Sequence, residues 1–496
     1  MTSSTVSPGT TAPAQTLQRN SITVAGIVFL VLAAASPIIG LTGAVPVTMV
    51  IGNGLGVTMS YLIIGALLLL FSVEFVLMSR HVTDAGALYA YVGKGLGSEV
   101  SIGVAGLAVY AYTAVQAAIY AFFGATVVAL LDAAVGVALP WWVGSLALVV
   151  VVQVFGYLRL ELGAKVLGVL LLGEWGVMLA MAVSIGIQGG AGEGFAVDQV
   201  FSVQSLLVGA PGVALTFAFA SSLGFEAAAV FGEEVANPRR AVPRATYLSV
   251  ILIAGFFAIT TWMITVGYGP SNVLAEAGRA LESRDTASFI YALGSRYLGP
   301  WAPAVMGVFI VTSIFAAALA FHNGIARYLF TLGRGRVLPS ALGRVHPKTG
   351  APYVASVSQS IGAVAIIVIF AALGADPIAT VFNWGGGIAV VALVVAYLLV
   401  SVSVIVHFRR TEQSDATLWN SLVAPALSVL GLGGALVVIV SNFGTLVGGG
   451  GDLVTVLILT VAAVFVGGVT RAVVMRVRTH RGVSVEALET TTTDLS

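Results

Sequence analysis

Two carboxylates in this chain stand inside long apolar runs: Glu174 in VLLLGEWGVMLAM and Glu226 in AFASSLGFE. At the centre of a bilayer an ionised carboxylate costs on the order of 3 kcal/mol on insertion scales, so such a group exchanges a proton, meets a cation or is held neutral by hydrogen bonds. Glu226 follows Ser221, Ser222 and Gly224, and the first apolar run carries a comparable disturbance, AASPIIGLTGAVP. Pro37 has no N–H, pushes Ser36 out of the α region and leaves a carbonyl one turn back without its donor, while Gly40 and Gly43 loosen the next turn. The N–H groups after Pro37 and the positive end of the half-helix beyond it suit a carboxylate, and the carbonyls before Gly224 suit an ammonium. A zwitterionic amino acid fits both. Close helix packing is the competing reading of either small-residue stretch taken alone.

The elements that must position these groups are membrane helices. Of the 496 residues 58% are hydrophobic and 9% charged, and mean hydropathy is +1.03, against roughly 25% charged residues in soluble domains. About twelve apolar runs are long enough to cross ~30 Å of hydrocarbon. They cover 22–50, 54–78, 98–131, 141–158, 163–188, 207–235, 243–268, 299–332, 352–373, 377–406, 420–442 and 450–474. Their length excludes a β-barrel, so the expected class is an all-α integral membrane protein. The Ser/Thr/Pro-rich start is expected to be disordered, with no cleaved signal peptide. With a cytoplasmic N-terminus, all Lys and Arg residues except Arg279, Arg284 and Arg296 fall on the cytoplasmic side, as the positive-inside rule requires. Both termini are therefore expected in the cytoplasm, with the chain in the plasma membrane. The basic residues facing one leaflet give no reason to expect nucleic acid, and the absence of cysteine excludes disulfides and thiolate metal sites.

Non-helical backbone at membrane depth is tolerated where it lines a cavity, and paired interruptions in two halves point to a transporter site. Five crossings separate the first run from the sixth, so the two run in opposite directions. The expected organisation is a tail (1–21), a first repeat (22–188), a second, inverted repeat (207–408), two further spans (420–474) and a C-terminal tail (475–496).

GFEAAAVFGEEVANPRRAVPRA (224–245) closely resembles the sixth-helix signature of the amino acid-polyamine-organocation transporters. TDAGALYAYVGKGLG (83–97) resembles the loop between their second and third helices, and RYLFTLGRGRVLP (327–339) with HPKTGAPYVA (346–355) the segment joining their eighth and ninth. The resemblance covers roughly residues 20 to 410. It implies a LeuT-type fold of 5+5 inverted repeats, with helices 1 and 6 broken at the midplane and alternating access between them. It places the substrate carboxylate near the backbone of Ile38, Ile39 and Gly40, and the amino group near Phe219, Ala220 and Ser221, with Ser222 and Gly224 beside them. Phe225 becomes a gating aromatic, and Glu226 matches the family's acidic residue. Two departures stand out. The glycines of SPIIGLTG are three apart where these proteins usually show Gly-x-Gly, and Glu174 occupies a position where many sodium-independent members carry a lysine.

Glu174 is thus the candidate proton carrier, with a neutral structural carboxyl as its alternative, and Glu226 is the second coupling candidate. Glu74, near the end of its span, reads as structural and able to reach the interface. Sodium coupling would need several oxygen ligands. Thr312 and Ser313 offer two, and FAAALA (315–320) offers no hydroxyl. The expected side-chain pocket comprises Tyr112, Gln116, Phe315, Asn383 and Trp384, each with interior packing as its alternative, and His322 reads as a structural histidine. No catalytic constellation, cofactor motif or metal set appears, which speaks against an enzyme. The expectation is a secondary active amino acid transporter, proton-coupled and by default for a neutral substrate. An exchanger of amino acids or amines, or a sensor that binds without transport, are the alternatives. Oligomeric state is left open.

Overall fold

The computed structural model describes residues 23–82, 87–158, 164–226, 237–346, 351–411 and 416–493. The tail expected over 1–21, residues 227–235 of the sixth run and parts of the three signature segments lie outside the described residues. Every regular element among those described is helical.

The first apolar run forms α1 (Val24–Ala35), a short helix Pro37–Ile39, a π turn Gly40–Ala44 and α2 (Val45–Ile51). Then come α3 (Val57–His81), α4 (Ala87–Leu96), α5 (Ser98–Val135), α6 (Trp141–Leu158), α7 (Ala164–Gln188) and α8 (Pro211–Ala220). The chain continues through α9 (Pro238–Tyr268), α10 (Val273–Glu282), α11 (Ser288–Leu298), α12 (Ala302–Arg334) and α13 (Tyr353–Ala372). It ends in α14 (Asn383–Arg410), α15 (Ala424–Ser441) and α16 (Gly451–Thr493).

Among the described residues ten helices are long and apolar enough to cross a membrane. Two expected spans are not among those ten. The fourth is the shorter helix α6, and the sixth is described only through α8 and the turns that follow it to Glu226. Ahead of α8 the chain bends by 108° from Val197–Leu207, so the run does not begin as one straight rod. At the other terminus α16 continues to Thr493, where a tail was expected.

Position in the bundle follows from side-chain size. The span Pro377–Arg410 is the most enclosed of the ten, and Gly451–Val477 the least. The run Gly385–Gly387 lets α14 approach α5 closely: a Cβ on Gly385 would fall 2.5 Å from the Ala114 carbonyl oxygen. Glu74 differs from its expected placement: it does not reach the interface but is fully buried and accepts a hydrogen bond from Ser401 on α14.

Candidate functional site

Ser36 leaves the helical region with φ +40°, a conformation non-glycine residues rarely adopt. The freed groups find partners locally and across the bundle. Ser36 N–H donates to Leu32 O (3.2 Å) and Ile39 N–H to Ser36 O (2.9 Å). Ser36 Oγ lies 2.5 Å from Ser313 Oγ on α12. The N–H of Ile38 donates to Glu174 Oε1 at 2.8 Å. A carboxylate therefore does sit on the turn after Pro37, and it belongs to α7, which delivers it from a helix 136 residues away in sequence.

At the second interruption α8 ends at Ala220 and the chain turns through 221–226. Ser222 Oγ donates back to Ala218 O (3.0 Å), and Gly224 takes φ +101°, which only glycine adopts without strain. Gly224 N–H donates to Glu226 Oε2 at 3.0 Å, and the Tyr112 hydroxyl donates to Oε1 at 2.7 Å. Glu226 is buried and bonded on both oxygens. Ser221 Oγ lies 3.2 Å from the Tyr61 hydroxyl.

Between the two interruptions is a cavity of about 60 Å³. The first run lines it with Ala34, Ala35, Ser36, Ile39, Gly40 and Ala44, and α8 with Phe217, Ala220 and Ser221. Opposite stand Val115, Ala118 and Ile119 of α5, Ala317 and Phe321 of α12, and Phe382 and Gly386. Gly40 sits against the Phe257 ring, where a Cβ would come within 2.5 Å.

Aromatic side chains close both ends. Towards the end of the bundle where α2 finishes, Phe382 stacks on Phe217 (5.8 Å between centroids) and meets Phe122 (5.2 Å). Towards the end where α1 begins the closure is deeper. Tyr397 contacts Phe71, Phe219 and Phe225, and Phe75 bridges Phe225 to Tyr91.

Of the expected site residues, Ile39, Gly40, Ala220 and Ser221 line the cavity. Ile38 holds Glu174, while Phe219 and Phe225 belong to the deeper aromatic closure. The five expected pocket side chains are engaged elsewhere. Tyr112 is on Glu226. Gln116 donates to Tyr120 and the Ala318 carbonyl and accepts from Gln359. Phe315 packs edge-on against Phe155, and Trp384 Nε1 donates to Val447 O at 2.9 Å. Asn383 is buried outside the cavity wall. The reason is angular: neighbours on a helix differ by about 100°, so α5 turns Val115, Ala118 and Ile119 to the cavity and Gln116 to other helices. The residues missed were mostly small, aliphatic or aromatic, and on α5 their signal was the i, i+3, i+4 spacing of Val115, Ala118 and Ile119 rather than polarity.

Thr312 Oγ1 bonds carbonyls of its own helix, and Ser313 bonds Ser36. Among the described residues no three His, Cys, Asp or Glu side chains form a group able to hold a metal ion. The His322 ring lies 2.9 Å from Ser356 Oγ and is fully buried.

A family model described as "Amino acid permease" matches residues 26–479. The low-affinity putrescine importer PlaP of Escherichia coli (strain K12) is 25% identical over 201 residues, 40% of this chain and 40% of its own. The branched-chain amino acid permease BcaP of Bacillus subtilis (strain 168) is 25% identical over 207 residues, 41% of this chain and 39% of that one. The chloroplastic cationic amino acid transporter 6 of Arabidopsis thaliana is 25% identical over 138 residues, 28% of this chain and 22% of that one. Each match thus spans well under half of the relative's length.

Proposed function

This chain belongs to the amino acid permease family, and we propose that it is a proton-coupled carrier of small neutral amino acids. It works by alternating access around the cavity between its two interruptions, in a twelve-span, 5+5 inverted-repeat bundle. It lies in the plasma membrane with both termini cytoplasmic. The coarser part of this reading, a multi-pass permease and not an enzyme, follows from the family itself.

The observation that carries the coupling is the 2.8 Å bond from Ile38 N–H to Glu174 Oε1. An ionised Glu174 holds the donor that a substrate carboxylate would use. A proton on Glu174 removes its charge and weakens it as an acceptor, which releases Ile38 N–H to an incoming carboxylate beside Ile39 and Gly40. Proton and substrate therefore load together. The same exchange run backwards on the cytoplasmic side lets the carboxylate leave as Glu174 loses its proton and recaps the turn.

What supports a neutral substrate is the wall. Among the described residues no ionisable side chain lines the cavity, and Glu226 is occupied by Tyr112 and Gly224. A second ammonium, as in a diamine, would meet apolar surface there at a cost of several kcal/mol.

The test is uptake of labelled alanine, leucine, arginine, glutamate and putrescine into liposomes holding the purified protein, with and without an inward proton gradient. Accumulation of a neutral amino acid driven by the gradient, lost in Glu174→Gln while binding survives, is the expected result. Gradient-independent uptake would overturn the coupling, uptake only against preloaded substrate would make it an exchanger, and binding without transport a sensor.

A further inference from the structure

A recess of about 250 Å³ lies between Pro140 and Trp141 at the start of α6, the turn between α13 and α14, and Arg284. Arg284 stands at the tip of the hairpin formed by α10 and α11, in a left-handed conformation with φ +58°. Its guanidinium approaches Asp376 Oδ2 through Nε alone, at 3.5 Å, and its side chain is 80% exposed. The planar guanidinium keeps its two terminal NH₂ groups for another acceptor. Asp376 divides its oxygens: Oδ1 accepts from Ile378 N–H and Ala379 N–H, at 2.9 and 2.8 Å, and Oδ2 is turned to Arg284. The neighbouring Asp285 is bonded back to Ser288 N–H and does not compete.

We propose that this recess is a second, low-affinity binding site for a zwitterionic amino acid at the mouth of the permeation path. The carboxylate pairs side-on with the terminal nitrogens of Arg284, the ammonium takes Asp376 Oδ2, and the side chain lies along Trp141 and Pro140. A surface ion pair at 3.5 Å with no hydrogen bond between its members gives up little when a ligand of the same two charges inserts, which is why the pair fits a zwitterion better than a lone anion. Position gives the site its use. Asp376 caps the π turn Pro377–Phe382, and Phe382 at the far end of that turn lies in the wall of the central cavity and in its aromatic closure. A ligand in the recess thus sits one short element from the closure it must pass. The transported class rests on the function proposed above; the recess itself is argued from its own charges.

Equilibrium dialysis of purified protein in detergent with labelled L-alanine tests it. Acetate, ethylammonium and phosphatidylglycerol micelles serve as separate competitors. The expected stoichiometry is two per chain in wild type and one in Arg284→Gln. In liposomes that variant should raise KM for uptake from the recess side by on the order of tenfold, with kcat unchanged. In Gly386→Phe, where a ring enters the central cavity, one equivalent should remain and should vanish when Arg284→Gln is added. That arm decides the recess even if wild type transports nothing, in which case only the transport reading fails. No alanine bound by Gly386→Phe, or displacement by acetate or phosphatidylglycerol as strong as by alanine, would overturn the zwitterion site. A second cavity-filling change, Ala317→Phe, repeats the arm should the first fail to fold.

Discussion

The two interruptions solve the same problem with carboxylates of different origin. At Ser36 the acceptor is Glu174, carried by another helix; at Gly224 it is Glu226, two residues along the same backbone. A cap on its own strand moves with that strand and keeps its bond through any displacement of the helix. A cap on a neighbouring helix is a joint between two bodies, and whatever changes its charge changes the force between them. The comparison teaches that a buried carboxylate beside a break is not enough to mark a coupling group; what matters is which bodies it connects. Glu226 does bridge to α5 through the Tyr112 hydroxyl, but that bond comes from a neutral donor that rotates with its ring.

The largest effect expected from this difference is in the response to a proton gradient. Glu174→Gln should abolish gradient-driven accumulation, whereas Glu226→Gln should lower uptake and keep the ratio of rates with and without the gradient. Equal loss of that ratio in both variants, measured in the same liposome assay, would break the distinction.

Next comes packing beside the first interruption. Gly40→Ala places a methyl against Phe257, whose ring stacks on Tyr61 at 4.5 Å. The expected cost is about 1–3 kcal/mol from overpacking, read as a lower thermal midpoint together with reduced uptake. An unchanged midpoint would mean that Phe257 rotates away freely and that the close approach is incidental.

A comparable but more local loss is expected at the second. Tyr112→Phe leaves the buried Glu226 carboxylate short of one donor and should destabilise the fold by about 1–3 kcal/mol. The gradient response should persist, and its loss would promote Glu226 to the coupling role.

The smallest effect is reserved for Ser313→Ala. It removes the hydroxyl partner of Ser36 at 2.5 Å and a side-chain hydrogen bond to Glu174 while the Ile38 N–H stays on Glu174, so stability should fall by about 1 kcal/mol with coupling intact. Loss of coupling here would show that Ser313, and not Glu174 alone, holds the joint.

Reading the sequence marked the two disturbed stretches for reasons that are local. Pro37 and the serine and glycine of SSLGFE disturb a helix wherever it is placed, and Glu174 is conspicuous in any apolar run. Those residues were legible because their cost is set by their own chemistry and the solvent. The pocket side chains were not. Tyr112, Gln116 and Trp384 drew notice as polar atoms at membrane depth, but such atoms seek protein partners first, and each found one across a helix interface. Apart from Ser36 and Ser221, the cavity was left to alanine, valine, isoleucine, glycine and phenylalanine, which carry no polar signal.

The sequence by itself determined that the chain is a bundle of membrane-length helices and that its first and sixth apolar runs depart from the helix at Ser36 and after Ala220. Run length, hydropathy and the missing N–H of proline are properties of short segments. Only the tertiary structure decided that Glu174 takes the Ile38 N–H, that Glu226 turns to Tyr112 and Gly224, and that Phe382 and Phe217 close one end of the cavity. Those outcomes depend on the rotation and spacing of helices distant in sequence. A hydrogen bond formed over 2.8 Å is decided by fractions of an ångström that no local pattern encodes.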